Sequence, residues 1–116
     1  MGKKHVTLSR GLVPGKKEIM SSLIAYQKGS VVSRTVINSK PGSVTIFAFD
    51  DGEGLSEHVV PCDALLYILE GRAEIRISGK TSPVERGEAI ILPAGRPHAV
   101  RALSRFKMLL TMMGTG

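Results

Sequence analysis

Apolar residues recur along most of the chain in short runs of strand length. Ala73, Ile75 and Ile77 alternate with polar residues, which is the period of a strand that buries one face and exposes the other. Residues 64–69 form a continuous apolar run instead, which predicts a strand buried on both faces. Glycine- and proline-rich turns separate further predicted strands at residues 31–38, 43–50, 81–84, 89–92, 98–103 and 106–112. About nine short strands joined in this way predict an all-β barrel or sandwich.

The first part of the chain lacks this pattern. Residues 1–17 are polar and aperiodic, so we predict a basic N-terminal arm, followed by a single domain at residues 18–116. Between Glu18 and Tyr26 the apolar residues are spaced three and four apart, and this spacing permits one short helix.

Composition and charge limit the class of protein. With 116 residues, of which 42% are hydrophobic, the chain has enough apolar material for the core of one domain. Of the formal net charge of +6, most lies in residues 1–18, which carry five basic side chains and one acidic one. The rest of the chain lacks the basic stripe, interleaved with aromatic residues, that is typical of nucleic-acid binding. We therefore expect no nucleic-acid partner.

Two further features of the sequence bear on its location. No apolar run approaches the roughly 18 residues that a membrane-spanning helix needs, so we expect no membrane partner. Cys62 is the single cysteine, which excludes a disulfide within the chain and suits a reducing compartment. The expected location is the cytoplasm.

Two segments carry a characteristic spacing of glycine, proline and histidine. Residues 87–98 read GEAIILPAGRPH, in which glycine, proline, glycine and His98 are separated by five, one and two residues. Residues 54–71 begin and end with glycine and contain His58. These segments resemble the second and the first motif of the cupin superfamily, and the resemblance extends over roughly residues 43–112. It implies an antiparallel jelly-roll β-barrel, in agreement with the strand pattern.

The resemblance also implies a set of metal ligands. In a typical cupin, two histidines two residues apart, a glutamate and a histidine of the second motif bind a divalent transition metal such as Zn, Ni, Fe, Mn or Cu. Here His58 and His98 match the first and the last ligand, whereas Val60 and Ala64 stand at the other two positions. A weak metal site, or none, is therefore implied.

Two neighbouring residues are candidates to complete that site. Cys62 has the same strand parity as His58, and a thiolate is a good zinc ligand; the alternative is that Cys62 is a small buried hydrophobic residue. Asp63 would point away from the barrel unless Pro61 disturbs the alternation of the strand. Without either of them, His58 and His98 would be a hydrogen-bonded pair without metal.

The expected function follows from the barrel and its incomplete ligand set. We expect a protein that binds a small molecule in a barrel pocket. The alternatives are a metal-dependent enzyme of the dioxygenase or isomerase type and an accessory module whose basic arm contacts an acidic partner. No residue is assigned a catalytic role. By strand parity, the residues expected to line the pocket are His58, Val60, Ala64, Leu66, Ile68, His98 and Val100.

The strand predicted at residues 64–69 also bears on assembly. Leu65, Tyr67 and Leu69 are apolar and lie on the opposite face from the pocket, so a second sheet, the N-terminal segment or another subunit must cover them. Two-fold dimers are the commonest assembly of soluble proteins, and the resemblance implies the same for small cupins. We therefore expect a homodimer.

Overall fold

The computed structural model describes residues 4–8 and 11–114. In these residues the chain forms ten strands joined mostly by short turns. Glycines and polar residues interrupt the apolar alternation at the turns, so each strand ends where its pattern ends. The strands are β1 (Lys4–Leu8), β2 (Ser30–Ser39), β3 (Gly42–Phe49), β4 (Gly54–His58), β5 (Asp63–Glu70), β6 (Arg72–Ile77), β7 (Lys80–Glu85), β8 (Ala89–Leu92), β9 (His98–Ala102) and β10 (Phe106–Met113).

The strands are arranged in two sheets. The six-stranded sheet has the order β1-β2-β3-β10-β5-β8, and the four-stranded sheet has the order β4-β9-β6-β7. β1 and β2 run parallel, and the other neighbouring strands are antiparallel. Strands far apart in sequence, such as β3 and β10, lie side by side, which gives the crossed connections of a jelly roll. The predicted all-β fold is confirmed.

The main core lies between the two sheets. Ala64, Leu66 and Ile68 point inward from β5, and each is at most 4% exposed. Phe49 and Phe106 stack in the same core with their ring centroids 4.4 Å apart. Burying a side chain of this size stabilises the fold by about 1.5–3 kcal/mol, so this core holds the sheets together.

The other face of β5 differs from the prediction. The continuous apolar run predicted burial on both faces, but Leu65 is 45% exposed and Tyr67 is 37% exposed in the single chain. Leu69 is half-buried, because it packs against a second apolar cluster on the outer face of the six-stranded sheet. Both faces of β5 are apolar, but only one of them meets the other sheet.

This second cluster joins the segment before β2 to the outer face of the six-stranded sheet. Leu23 and Ile24 belong to it together with Val32, Val36 and Ile46 of the sheet. Each of the five is at most 9% exposed. The segment at residues 11–29 therefore covers part of the outer face of this sheet.

The spacing before β2 permits a short helix, and in the described residues this segment contains a single 3₁₀ turn, Met20–Ser22. Two side chains of the six-stranded sheet donate hydrogen bonds to carbonyl oxygens that would accept hydrogen bonds within an α-helix. Lys107 Nζ donates to the Ser21 oxygen at 2.6 Å, and Arg34 Nη1 donates to the Leu23 oxygen at 3.0 Å. These tertiary hydrogen bonds override the local apolar spacing. No helix in the described part of the chain is long and apolar enough to cross a membrane.

Part of the predicted N-terminal arm belongs to a sheet. Lys4–Leu8 forms β1, which pairs with β2 so that His5 lies opposite Val31. The polar pattern did not indicate this strand, whose Val6 is half-buried against the second cluster. The domain boundary before residue 18 stays a prediction, and residues 1–3, 9 and 10 of the arm lie outside the described residues.

Candidate functional site

Two histidines from different strands meet at one point of the barrel. His58 ends β4 and His98 begins β9, and the two residues are partners in the antiparallel register of these strands. Their ring centroids are 4.4 Å apart with an interplanar angle of 68°, so the edge of one ring meets the face of the other. The fold therefore brings together the two side chains that the motifs singled out.

Hydrogen bonds tie the two motif segments to each other beside this pair. The Gly95 N–H donates to the Val60 carbonyl oxygen at 2.9 Å, and the Ala94 N–H donates to the Asp63 carboxylate at 2.8 Å. Gly95 has a φ of +75°, in the left-handed region that favours glycine. The turn that leads into His98 thus depends on the glycine of the second motif.

Each imidazole ring is oriented by its own strand. His58 Nδ1 lies 2.8 Å from the Ser56 carbonyl oxygen, and His98 Nδ1 lies 3.3 Å from the Arg96 carbonyl oxygen. A carbonyl oxygen only accepts hydrogen bonds, so the proton of each neutral ring is on Nδ1. Each Nε2 then carries a lone pair.

The two rings differ in exposure. His98 is 3% exposed, whereas His58 lies at the surface. Burial lowers the pKa of His98 below its usual value of 6.5, and the neighbouring His58 lowers it further, while the contact with the Arg96 carbonyl acts in the opposite direction. At neutral pH the His98 side chain is therefore an uncharged imidazole.

The other residues expected to line a pocket lie at two depths. Val60 is half-buried, close in sequence to the exposed His58. Four of the predicted residues are buried in the main core: Ala64, Leu66, Ile68 and Val100. A molecule that reached both histidines would therefore contact the rim of the barrel, with the packed core beneath it.

The residues at the pair do not form the complete ligand set of a typical cupin. Among the described residues, no group of three or more histidine, cysteine, aspartate or glutamate side chains is placed to hold a metal ion. The Asp63 carboxylate is exposed and engaged by the Ala94 N–H, and Cys62 is a buried free cysteine. Structural zinc sites usually have four protein ligands and catalytic ones three, whereas this pair supplies two.

A groove of about 440 Å³ on the outer face of the four-stranded sheet was not predicted. Two ion pairs line it: Arg76 Nη2 lies 3.8 Å from Glu57 Oε1, and Arg101 Nε lies 3.3 Å from Glu74 Oε1. The alternation of charged and apolar residues in β6 indicates which face these side chains share. No local pattern indicates a groove between them, and the histidine pair is not part of its lining.

Comparison with known proteins relates this geometry to a family. A family model described as a cupin domain matches residues 45–113. A conserved protein of unknown function from Streptococcus pyogenes has a crystal structure that is 30% identical, with a TM-score of 0.86 over 100% of this chain and 97% of that one. A cupin 2 conserved barrel domain protein from Leptotrichia buccalis is 37% identical, with a TM-score of 0.78 over 80% of this chain and 45% of that one.

A curated relative is longer than this chain. The polyketide synthase CurC from Streptomyces cyaneus is 25% identical over 73 residues, which are 62% of this chain and 47% of that protein. The chain thus spans about half the length of this relative.

Proposed function

The chain belongs to the cupin family, and from that premise we propose that it binds a small molecule at the rim of its barrel, at the His58–His98 pair. Family membership alone does not choose an activity, because one fold supports many functions. The proposal is carried by one observation: two imidazole rings in contact, each with its Nδ1 committed to a backbone carbonyl oxygen.

The Nε2 atoms of the two rings support binding at this place. Within the described residues, the hydrogen bonds of His58 and His98 use Nδ1 alone. In its neutral form each ring therefore offers an Nε2 lone pair as an acceptor, and one of the two rings is almost completely buried. A bound molecule that donates a hydrogen bond to either Nε2 atom gains affinity from that bond.

The surroundings of the pair favour a small organic molecule over a tightly held metal ion. Two imidazoles supply fewer ligands than a stable transition-metal site uses. Ile77, the cross-strand partner of His98, packs against the main core and provides apolar surface next to the ring. The relative from Streptomyces cyaneus is, by its name, a polyketide synthase, which is consistent with a small organic ligand.

Fragment screening tests this proposal. Protein purified without added metal and kept in EDTA is screened by ligand-observed NMR against neutral aromatic and alicyclic fragments. At least one fragment is expected to bind and to lose its binding in His98→Phe, which removes the Nε2 lone pair and keeps a ring. His5→Phe in β1 is the matched control and should retain binding. A screen without hits, or with hits that His98→Phe leaves unchanged, would contradict the proposal.

A metal-dependent enzyme is the second candidate function. A histidine whose Nδ1–H is held by a carbonyl oxygen is oriented in the way that metal-binding histidines usually are, and this observation favours the candidate. The reaction would be of the dioxygenase or isomerase type. His58 and His98 would be two of the ligands, and Cys62 or Asp63 would have to move to provide a third.

Metal analysis separates the two candidate functions. Protein purified without added metal is expected to contain far less than one metal ion per chain by plasma mass spectrometry. EDTA is expected to leave its Tm unchanged, because no bound metal contributes to stability. One metal ion per chain, lost together with stability in His98→Ala, would favour the enzyme.

A further inference from the structure

We infer that the groove on the outer face of the four-stranded sheet binds a small zwitterion, a molecule whose carboxylate and ammonium groups lie close together as in a free α-amino acid. The groove has a volume of about 440 Å³, which is within the range of small-molecule sites. It is separate from the barrel rim, because neither His58 nor His98 lines it, so its ligand is independent of the one proposed there.

The floor of the groove lies at two of the smallest residues of the sheet, Gly54 in β4 and Ala99 in β9. A Cβ on Gly54 would overlap the carbonyl oxygen of Val100, so the close approach of β4 to β9 requires a glycine at this position. The side chains that surround these two small residues are long and charged. The groove is the space that remains between them.

Strand register places two guanidinium groups next to Ala99. Arg76 of β6 is its cross-strand partner, and Arg101 follows two residues later on the same face of β9. The Cβ atoms of cross-strand partners are about 5 Å apart, and residues two apart in a strand are separated by about 6–7 Å. A carboxylate above Ala99 is therefore within reach of both long arginine side chains.

Both guanidinium groups have N–H donors left for such a carboxylate. In the described part of the chain, the guanidinium group of Arg101 makes a single hydrogen bond, from Nε to Glu74 Oε1 at 3.3 Å. Arg76 Nη2 lies 3.8 Å from Glu57 Oε1, which is an ion pair without a hydrogen bond. Each guanidinium group carries five N–H donors, so most of them can bind the oxygens of a ligand.

The two glutamates of the lining explain why the ligand also carries a positive charge. Glu57 and Glu74 each accompany one of the two arginines, so an anion attracted by the arginines is repelled by these carboxylates. An ammonium group on the ligand replaces this repulsion by attraction. Because the opposite charges of the two ion pairs are only 3.8 Å and 3.3 Å apart, the charges of the ligand must be similarly close. An α-amino acid carries both groups on one carbon atom.

Three compounds with the same side chain test the charges of the ligand. At about pH 6, leucine is a zwitterion, N-acetyl-leucine is an anion and leucinamide is a cation. In NMR titrations, leucine should bind about tenfold more tightly than either of the others, because each of those lacks one charge-assisted contact. The backbone amide signals of Ala99 and Arg101 should shift when leucine is added.

Substitutions in the groove test the role of each charge. Arg76→Gln and Arg101→Gln should weaken the preference for leucine over leucinamide, because both variants remove a partner of the carboxylate. Glu57→Gln should weaken the preference for leucine over N-acetyl-leucine, because it removes a partner of the ammonium group. Arg72→Gln is the matched control and should keep both preferences, since Arg72 is an exposed arginine on the same face of β6 but does not line the groove.

Four results would contradict the inference. The first is the absence of leucine binding at its highest soluble concentration, and the second is equal binding of all three compounds. The third is tighter binding of N-acetyl-leucine than of leucine, which would make the groove a site for anions. The fourth is an equal loss of preference in Arg72→Gln and in the arginine variants of the groove. None of these results would affect the proposed function of the barrel rim.

Discussion

At the level of single residues, Val60 and Ala64 occupy the two positions that a complete cupin metal site would fill with ligands. Val60 is half-buried, two residues after His58, and Ala64 is 4% exposed on the inward face of β5. Neither side chain has an atom that can coordinate a metal ion. We therefore expect the affinity of the pair for metal to be limited by the side chains at these two positions.

Restoring both ligands is expected to create a metal site. Val60→His combined with Ala64→Glu should bind Ni²⁺ at least about a hundredfold more tightly than wild type, because up to four ligands replace two. Isothermal titration calorimetry measures this gain. Val59→His combined with Ala64→Glu is the control, since Val59 is 58% exposed whereas Val60 is half-buried. An equal gain in the control would contradict the placement of Val60.

Asp50 is a residue whose hydrogen bonds have a consequence for acid stability. Its carboxylate accepts from the Gly29 N–H at 2.6 Å, from Arg105 Nε at 2.9 Å and from the Asp51 N–H at 2.9 Å. These donors, the Gly29 N–H first among them, lower the pKa of Asp50 from its usual 3.8 to about 2. Because the pKa is lower in the folded state, the ionised carboxylate stabilises the fold above its unfolded pKa, and this contribution is lost as the pH falls towards about 2.

Asp50→Asn is expected to remove this part of the acid dependence. The variant should be less stable than wild type at neutral pH, and the difference should shrink as the pH falls through the interval from 3.8 to about 2. Urea unfolding at a series of pH values measures the difference. The exposed neighbour provides the control variant, Asp51→Asn, which should keep the wild-type dependence on pH. A difference that stays constant down to the lowest pH would contradict the prediction.

At the level of elements, two turns between strands contain a glycine with a positive φ, but they differ in the space around that glycine. Gly71 joins β5 to β6 with a φ of +80°, and Gly79 joins β6 to β7 with a φ of +82°. A Cβ on Gly71 would overlap the carbonyl oxygen of Arg105 and the Cβ of Phe106, whereas a Cβ on Gly79 would meet nothing within 4 Å. The turn between β5 and β6 is therefore packed tightly against the start of β10.

Alanine substitutions at these two glycines distinguish the cost of backbone strain from the cost of steric overlap. Gly79→Ala should lower the free energy of unfolding by about 1–2 kcal/mol, the effect of the left-handed backbone alone. Gly71→Ala should lower it by about 2–5 kcal/mol, because the overlap with β10 adds to that strain. Urea unfolding measures both values. Equal losses in the two variants would mean that the turn at Gly71 is not held against β10.

At the level of the whole molecule, the outer face of the six-stranded sheet is covered only in part. Several apolar side chains of β5, β8 and β10 are exposed in the single chain: Leu65 (45%), Tyr67 (37%), Ile91 (60%) and Met113 (64%). A hollow of about 140 Å³ is lined by three of them, Leu65, Ile91 and Met113, together with Asp63, Ala64 and Thr111. Exposed apolar surface of this kind usually marks an interaction site, and the apolar side chains at this hollow can pack against the same side chains of a second copy.

We propose that two copies of the chain pair through this face. Light scattering after size exclusion should give the mass of a dimer at micromolar concentration. Ile91→Arg should shift the protein to monomer, because pairing would take a long charged side chain out of water in the middle of this face. Ile19→Arg, at a residue that is 72% exposed in the segment before β2, is the control and should remain dimeric. A monomeric wild type would contradict the proposal.

The sequence by itself determined the fold class and the two central residues of the candidate site. The alternation at residues 72–77 is a local property, because neighbouring side chains of any strand point to opposite faces. Motif spacing likewise identified His58 and His98, since it can be seen without knowing which strands pair. Their contact, however, depends on the register of β4 and β9.

Only the tertiary structure decided the features that involve distant parts of the chain. The spacing before β2 permits a helix, but the Ser21 carbonyl oxygen accepts a hydrogen bond from Lys107, which lies 86 residues away in β10. Leu65 and Tyr67 are as apolar as their inward neighbours, yet they stay exposed in the single chain because no second sheet faces them. Hydrogen bonding and burial depend on which groups approach from elsewhere in the fold, and no local pattern contains that information.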